Sequence, residues 1–220
     1  MAVTTDIEER ADAVRFVIAA TDDRAGDALA RMGYLLDGGA RFATRWLPRA
    51  AEPERYFARF TAAIGPMVRQ KAGLDPVPWE DALLAFVRRV EGSGLDWWLY
   101  GSAALAVRGL AVAPGDIDAH VDDAFALGRL LDDWLVTPVE RMPGWVAAEH
   151  GRAFHGAVVE WLARPDPALD DRAAPVEQGP LIAPEIEVVR WRGHAVRVPP
   201  LAASLRGRER RGRSARRARA

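Results

Sequence analysis

Between Leu95 and Val121 the chain changes its periodicity repeatedly, and this stretch constrains the fold more than any other. Leu95 to Tyr100 (LDWWLY) is a short, mostly apolar run bounded by glycines, which predicts a buried strand. Gly101-Ser102 ends it, and Ala103 to Arg108 reads as a short helix closed by Gly109. After Pro114-Gly115, Asp116-Ile117-Asp118 opens a second strand, with alternation over Ile117 to Val121.

Each of these residues has a chemical use. A glycine at a strand-to-helix turn lets the backbone approach a ligand closely. The free N–H groups at the start of the next helix, with the positive end of its dipole, favour a phosphate. The Ser102 hydroxyl can donate to the same phosphate. Two Asp at i, i+2 on a strand face one side a few ångströms apart and repel unless a cation lies between them. Mg²⁺ takes one or two carboxylates together with water and substrate phosphate, which suits Asp116 and Asp118. Each feature alone has a plainer reading: Gly-Ser as a turn with an N-cap, Asp-x-Asp as a solvated surface turn. Their order and spacing together favour the chemical reading.

The run WLYGSAALAVRGLAVAPGDIDAHV resembles the signature of the nucleotidyltransferase superfamily, whose fold is polymerase-beta-like. Gly101, Ser102, Arg108, Gly109, Asp116 and Asp118 carry the resemblance, which spans residues 79–200 and is strongest over 97–121. The style is that of the small bacterial antibiotic-type and toxin-type branches. Pro114 departs from the Thr or Ser that many relatives carry two residues before the first Asp, removing a hydroxyl and a backbone N–H. The resemblance implies an α+β fold: a mixed sheet flanked by helices. It also implies a third carboxylate on a later strand, for which Glu160 in AVVEWLA is the candidate and Glu187 in EIEVVRW the reserve. A lone carboxylate among apolar neighbours is costly to bury unpaired, and a metal site would resolve that cost. The alternative is an edge strand with Glu160 in solvent.

On this resemblance Asp116, Asp118 and Glu160 would hold one or two Mg²⁺ ions. Gly101 and Ser102 would seat the phosphates of a nucleoside triphosphate, and Glu160 would complete the metal site or accept a proton. Arg108 would pair with phosphate or serve as a helix C-terminal charge. The implied reaction moves a nucleoside monophosphate to a hydroxyl of a small molecule or an RNA; a toxin-type enzyme would also have a cognate antitoxin as partner. The competing reading is a non-catalytic protein of the same fold that binds nucleic acid or another partner. His120 shares the face of the Asp pair and reads more readily as structural than catalytic. Asp122 and Asp123 read as caps of the next helix. Trp97, Trp98, Trp134, Trp145 and Trp161 read as packing residues.

Composition narrows the chemistry further. There is no Cys among 220 residues, which excludes disulfides, thiolate metal sites and Cys nucleophiles. The four His are not paired at helical ligand spacing, so oxygen-ligated metal chemistry remains. Lys71 is the single lysine, and the Arg-for-Lys bias reads as that of a GC-rich genome. No apolar stretch is long enough for a membrane span and Met1 to Arg10 lacks signal-peptide order, so the expectation is a cytoplasmic protein without membrane partners.

The formal net charge of −1 conceals an asymmetry: residues 206–220 hold eight Arg and one Glu, a local +7, which leaves −8 on the remainder. That segment has no apolar residue larger than Ala and is expected to be a disordered tail, read either as a nucleic-acid contact or as a GC-biased extension without a partner. Residues 1–75 read as a separate appendage, helical or βαβα, and 76–205 as the nucleotidyltransferase-like domain. In the appendage, Ala25, Ala28, Leu29 and Met32 form one helix face, Tyr56, Phe60, Ile64 and Met67 another, and Arg41 to Leu47 a strand. Val14 to Ala19 fits a strand or a continued helix. Gly73 to Pro78 reads as a linker, followed by a helix from Trp79. Leu127 to Trp134 reads as a helix. Leu135 to Met142, Trp145 to Glu149 and Ala153 to Ala163 read as strands, and Glu185 to Val198 as a hairpin turning at Arg192-Gly193.

Overall fold

The computed structural model describes residues 2–49, 52–142, 146–170 and 175–217. The chain opens with β1 (Val3–Glu9), β2 (Ala13–Ala20), α1 (Asp23–Arg31), three short strands β3 (Leu35–Leu36), β4 (Arg41–Ala43) and β5 (Leu47–Pro48), and α2 (Pro53–Lys71). It continues with α3 (Trp79–Val90), β6 (Trp97–Tyr100), α4 (Gly101–Ala106), β7 (Ile117–Val121), α5 (Ala124–Leu130), β8 (Glu140–Arg141), β9 (Ala147–His155) and β10 (Ala157–Pro165). The hairpin β11 (Glu187–Trp191) and β12 (His194–Val198) and the helix α6 (Leu201–Arg217) complete the order. Among the described residues no helix is long and apolar enough to cross a membrane.

The central sheet has the order β6-β7-β10-β9-β8; β7 and β10 run parallel and the other pairs antiparallel. Strand alternation sorts its two faces. Ile117, Ala119 and Val121 of β7 and Val159, Trp161 and Ala163 of β10 face a core shared with Leu83, Phe86, Val87 and Leu127 of α3 and α5. The Trp161 ring lies flat on Gly151 of the neighbouring strand, where any Cβ would collide with it, and its Nε1 donates to the Ala124 carbonyl at 3.1 Å. Asp118 and Glu160 therefore point to the opposite face. Glu160 lies on an interior strand, which removes the edge-strand alternative.

The first 75 residues fold around a sheet of their own, ordered β1-β2-β4-β3 with β5 beside β2. Val14, Phe16 and Ile18 are fully buried at alternate positions, which settles that segment as strand, and α1 and α2 cover it. The order is thus β-β-α-β-β-β-α, with a first strand that sequence reading missed; its alternating Thr, Asp and Glu carry too little apolar signal. Asp22 caps α1 by accepting from the Ala25 N–H at 2.9 Å, and Asp123 caps α5 by accepting from Ala126 at 2.8 Å. This unit packs directly on the site face of the central sheet: Phe154, Val158 and Val136 join its apolar cluster.

Several expectations need correction. Residues 206–217 are not a disordered tail but the body of α6, whose first turn buries Ala203 and Ser204 and packs on α4. Arg is a good helix former, and an anchored first turn removes the nucleation cost of extending it. Ala153 to Ala163 is not one strand; Gly156, at φ +73°, turns β9 into β10. Leu135 to Met142 contributes one isolated bridge and the two residues of β8. The strand expected from Trp145 begins at Ala147, and Trp145 lies outside the described residues. The predicted hairpin turns at Arg192-Gly193, both with positive φ. Trp97, Trp98, Trp134 and Trp161 are buried.

Candidate active site

Strand register builds the site. Tyr100 of β6 pairs with Asp118 of β7, Asp118 with Glu160 of β10, and Glu160 with Arg152 of β9. Four polar side chains thus form one row across four adjacent strands on one face. Asp116 sits one residue ahead of β7, in the bend after Gly115, rather than on the strand. The Tyr100 hydroxyl is held protonated, its pKa pushed well above the usual phenol value by burial and then by the negative charge of Asp118, Glu160, Glu177 and Asp116. One buried phenol therefore senses four carboxylates at once.

The partners of these carboxylates were not foreseen. Lys71, in the last turn of α2, donates to Asp116 Oδ2 at 3.0 Å. Arg152 donates through Nε to Glu160 Oε1 at 2.5 Å and through its terminal nitrogen to the Met32 carbonyl at 2.8 Å. His150 Nε2 lies 3.6 Å from Glu160. Burial raises the Glu160 carboxyl, but the Arg152 charge and the hydrogen bonds from His150 and Arg152 outweigh it and hold the group well below the usual carboxylate range. Lys71 did carry a signal, as the one lysine in an arginine-rich chain. Arg152 and His150 became visible only with the β9–β10 register.

Gly101 shows why its position excludes a side chain. Its φ is +69°, and a Cβ there would come within 2.6 Å of Asp118 Oδ2. Its N–H, expected to meet phosphate, donates to Glu177 Oε1 at 3.2 Å. Glu177 is 2% exposed; its backbone carbonyl accepts from Trp98 Nε1 at 2.9 Å, and its carboxylate fills the space a Gly207 side chain would need. The segment before β11 and the start of α6 therefore cover the β6 end of the site face, as the N-terminal unit covers the β9 end. Ser102 lies in α4, which at six residues has little dipole to offer. Arg108 donates to Glu187 at 2.5 Å and to the Pro199 carbonyl at 2.7 Å, so the structure ties it to the β11–β12 hairpin. Glu187, the reserve carboxylate, is Arg108's partner there. His120 is 7% exposed and stacks on Trp98 with ring centroids 3.7 Å apart, a packing role; burial pushes its imidazole down to about 4.

Asp116 and Asp118 form a hard-oxygen pair of the kind Mg²⁺ accepts alongside substrate phosphates. The absent Cβ at Gly101 makes room for the Asp118 carboxylate itself, whose Oδ2 stands 2.6 Å from where that Cβ would be. A three-carboxylate centre is not assembled: among the described residues no group of three or more His, Asp or Glu stands at metal-holding separation, and Glu160 is committed to Arg152.

A mixed sheet flanked by helices, with Gly-Ser at the first strand end and Asp-x-Asp at the second, defines an α+β, nucleotidyltransferase-like fold. Among solved structures the chain is similar to a Thermotoga maritima protein whose own assignment as a nucleotidyltransferase is provisional. The match covers 64% of this chain and 88% of that one, with a TM-score of 0.51 and 18% identity, a likeness of fold. No family model matches the sequence, and no curated protein matches it.

Proposed function

We propose that the chain is a magnesium-dependent nucleotidyltransferase that moves a nucleoside monophosphate from a nucleoside triphosphate to a hydroxyl. The observation that carries this reading is the register row Tyr100–Asp118–Glu160–Arg152, with the Gly101 backbone against Asp118. Asp116 and Asp118 would hold Mg²⁺, which supplies positive charge to the phosphates. The acceptor oxygen forms a bond to the α-phosphorus as the bond to the β-phosphate oxygen breaks; pyrophosphate leaves with that electron pair, and the hydroxyl proton passes to solvent. Lys71 is positioned to exchange Asp116 for a phosphate oxygen. Gly101 can donate to phosphate once Glu177 has withdrawn. Glu160, held ionised by Arg152, is a weak base, so its role is to fix Arg152 and deepen the negative potential around Asp118. Tyr100 stays protonated and can donate a hydrogen bond within the row.

The test is pyrophosphate release by the full chain with Mg²⁺ and each of the four nucleoside triphosphates. Asp118→Asn is expected to lower the rate at least 100-fold with an unchanged melting curve. No pyrophosphate with any triphosphate overturns the reading. A second reading, a non-catalytic nucleic-acid-binding protein of this fold, is favoured by one observation: Asp116, Glu160 and the Gly101 N–H already have protein partners. It predicts RNA binding equal in wild type and Asp118→Asn, without turnover.

A further inference from the structure

Beside the carboxylate row runs a cleft between the N-terminal unit and the central sheet, and the proposed chemistry assigns it no role. Its inner end, a constriction of about 50 Å³, is lined by Gln70, Lys71 and Asp116 together with Arg31, Arg152 and Glu160. Its outer end, about 310 Å³, shares Arg31, Arg152 and Glu160 and extends to Tyr34, Arg45 and Glu140. The outer volume lies at the lower end of the range for small-molecule sites, and the shared residues make it continuous with Asp116.

The charges along this cleft are uneven. Lys71 is matched by Asp116 and Arg152 by Glu160. That leaves Arg31 and Arg45; Glu140, whose carboxyl burial pushes above its ordinary value, feels the charge of His150 and Arg152 as well as that of Arg45. Arg31 donates to the Lys71 backbone carbonyl at 2.9 Å, and neither Arg31 nor Arg45 has an acidic partner at ion-pair distance among the described residues. One buried polar atom in the wall, Gln70 Oε1, makes no hydrogen bond there. Unpaired guanidinium groups present forked donors that match phosphate oxygens, and Gln70 Oε1 is an acceptor waiting for a donor beside Asp116.

We infer that this cleft is the acceptor subsite and that the acceptor bears a phosphate. Arg31 and Arg45 hold the phosphate, and the acceptor hydroxyl lies toward Gln70. The inference rests on the nucleotidyltransferase reading for the word acceptor, but the phosphate site stands on the cleft itself. A polycationic acceptor would meet two unpaired arginines and is excluded by charge. A nucleic-acid end and a small sugar phosphate offer the same chemistry.

Calorimetric titration of the full chain without metal separates these cases. The probes are ribose 5-phosphate, the dinucleotide ApA, ribose and spermidine. At least one phosphate probe is expected to bind, with ribose and spermidine silent. Tighter ApA binding identifies a nucleic-acid end as the source, and tighter ribose 5-phosphate binding a small phosphorylated acceptor. Arg31→Gln/Arg45→Gln is expected to weaken binding at least tenfold with an unchanged melting curve. The inference fails if neither phosphate probe binds, if the double variant binds as wild type does, or if spermidine binds more tightly than both. A parallel titration with Mg²⁺ and a non-hydrolysable triphosphate tells the two proposals apart. Binding of the phosphate probes without triphosphate binding overturns the nucleotidyltransferase reading and leaves the phosphate site; the reverse overturns the cleft alone.

Discussion

Glu160 is the residue at which sequence and structure differ most instructively. A charged group inside AVVEWLA had to be matched by something, and a cation was the economical inference. The match is Arg152, three strand positions from the pair that closes the hairpin, and no local pattern announces which residue will lie opposite another across a hairpin. Removing one partner leaves the other ionised in a largely buried site, so Arg152→Met is expected to destabilise by about 3 kcal/mol, while Arg152→Met/Glu160→Leu regains most of it. Urea unfolding of the two variants checks this; equal losses in both would mean the pair contributes little. The pair also sets a pH dependence. Because the folded Glu160 carboxyl lies below its ordinary value of 4.5, its stabilisation is full above that pH and is lost as pH falls toward the folded value. His120 acts in the same direction over a higher window: folded, it titrates at about 4 instead of 6.5, so the unfolded chain takes up its proton first and stability declines from pH 6.5 downward. Melting temperature against pH is expected to fall in two stages, and His120→Phe, which keeps a ring on Trp98, is expected to remove the upper one.

At the scale of elements, the strand–turn–helix–strand from β6 to β7 was legible because each boundary has a local cause: glycines around LDWWLY, Gly109 after α4, Pro114-Gly115 before β7. The partners of the site residues were not legible, since Lys71 and Glu177 arrive from 45 and 76 residues away from Asp116 and Gly101. Gly101 is where the local and the distant meet. Gly101→Ala forces a left-handed residue, costing about 1–2 kcal/mol, and pushes its Cβ onto Asp118 Oδ2, so both urea stability and transfer rate are expected to fall. Glu177 tests the cover from the other side. Glu177→Gln keeps an oxygen for the Gly101 N–H but removes the negative charge that opposes a triphosphate. The expected result is a several-fold lower KM for the nucleotide with kcat little changed; an unchanged KM would place Glu177 off the nucleotide's path.

For the whole molecule, the charge asymmetry read from the sequence survives, but its meaning changes. Through residue 217 the basic segment is not a loose tail beside an acidic body; it continues α6, whose first turn packs against α4 and whose Gly207 lies against the Glu177 carboxylate. Two truncations separate its structural start from its charged end. Ending the chain at Pro200 removes Ala203 from its cluster with Trp98 and Ile182 and uncovers Glu177, so the melting temperature is expected to drop by several degrees. Ending it at Glu209 removes six Arg and none of those contacts, so the melting curve is expected to stay the same. If the arginine helix meets nucleic acid, each lost phosphate contact flattens the dependence of log K on log salt by about 0.7 for a single strand, or by up to about 4 for all six. The slope for a short single-stranded RNA, measured on the full chain and on the Glu209 truncation, decides the matter. An unchanged slope would confine RNA contacts to the rest of the chain, whereas a flattened one would place RNA on the arginine-rich end of α6.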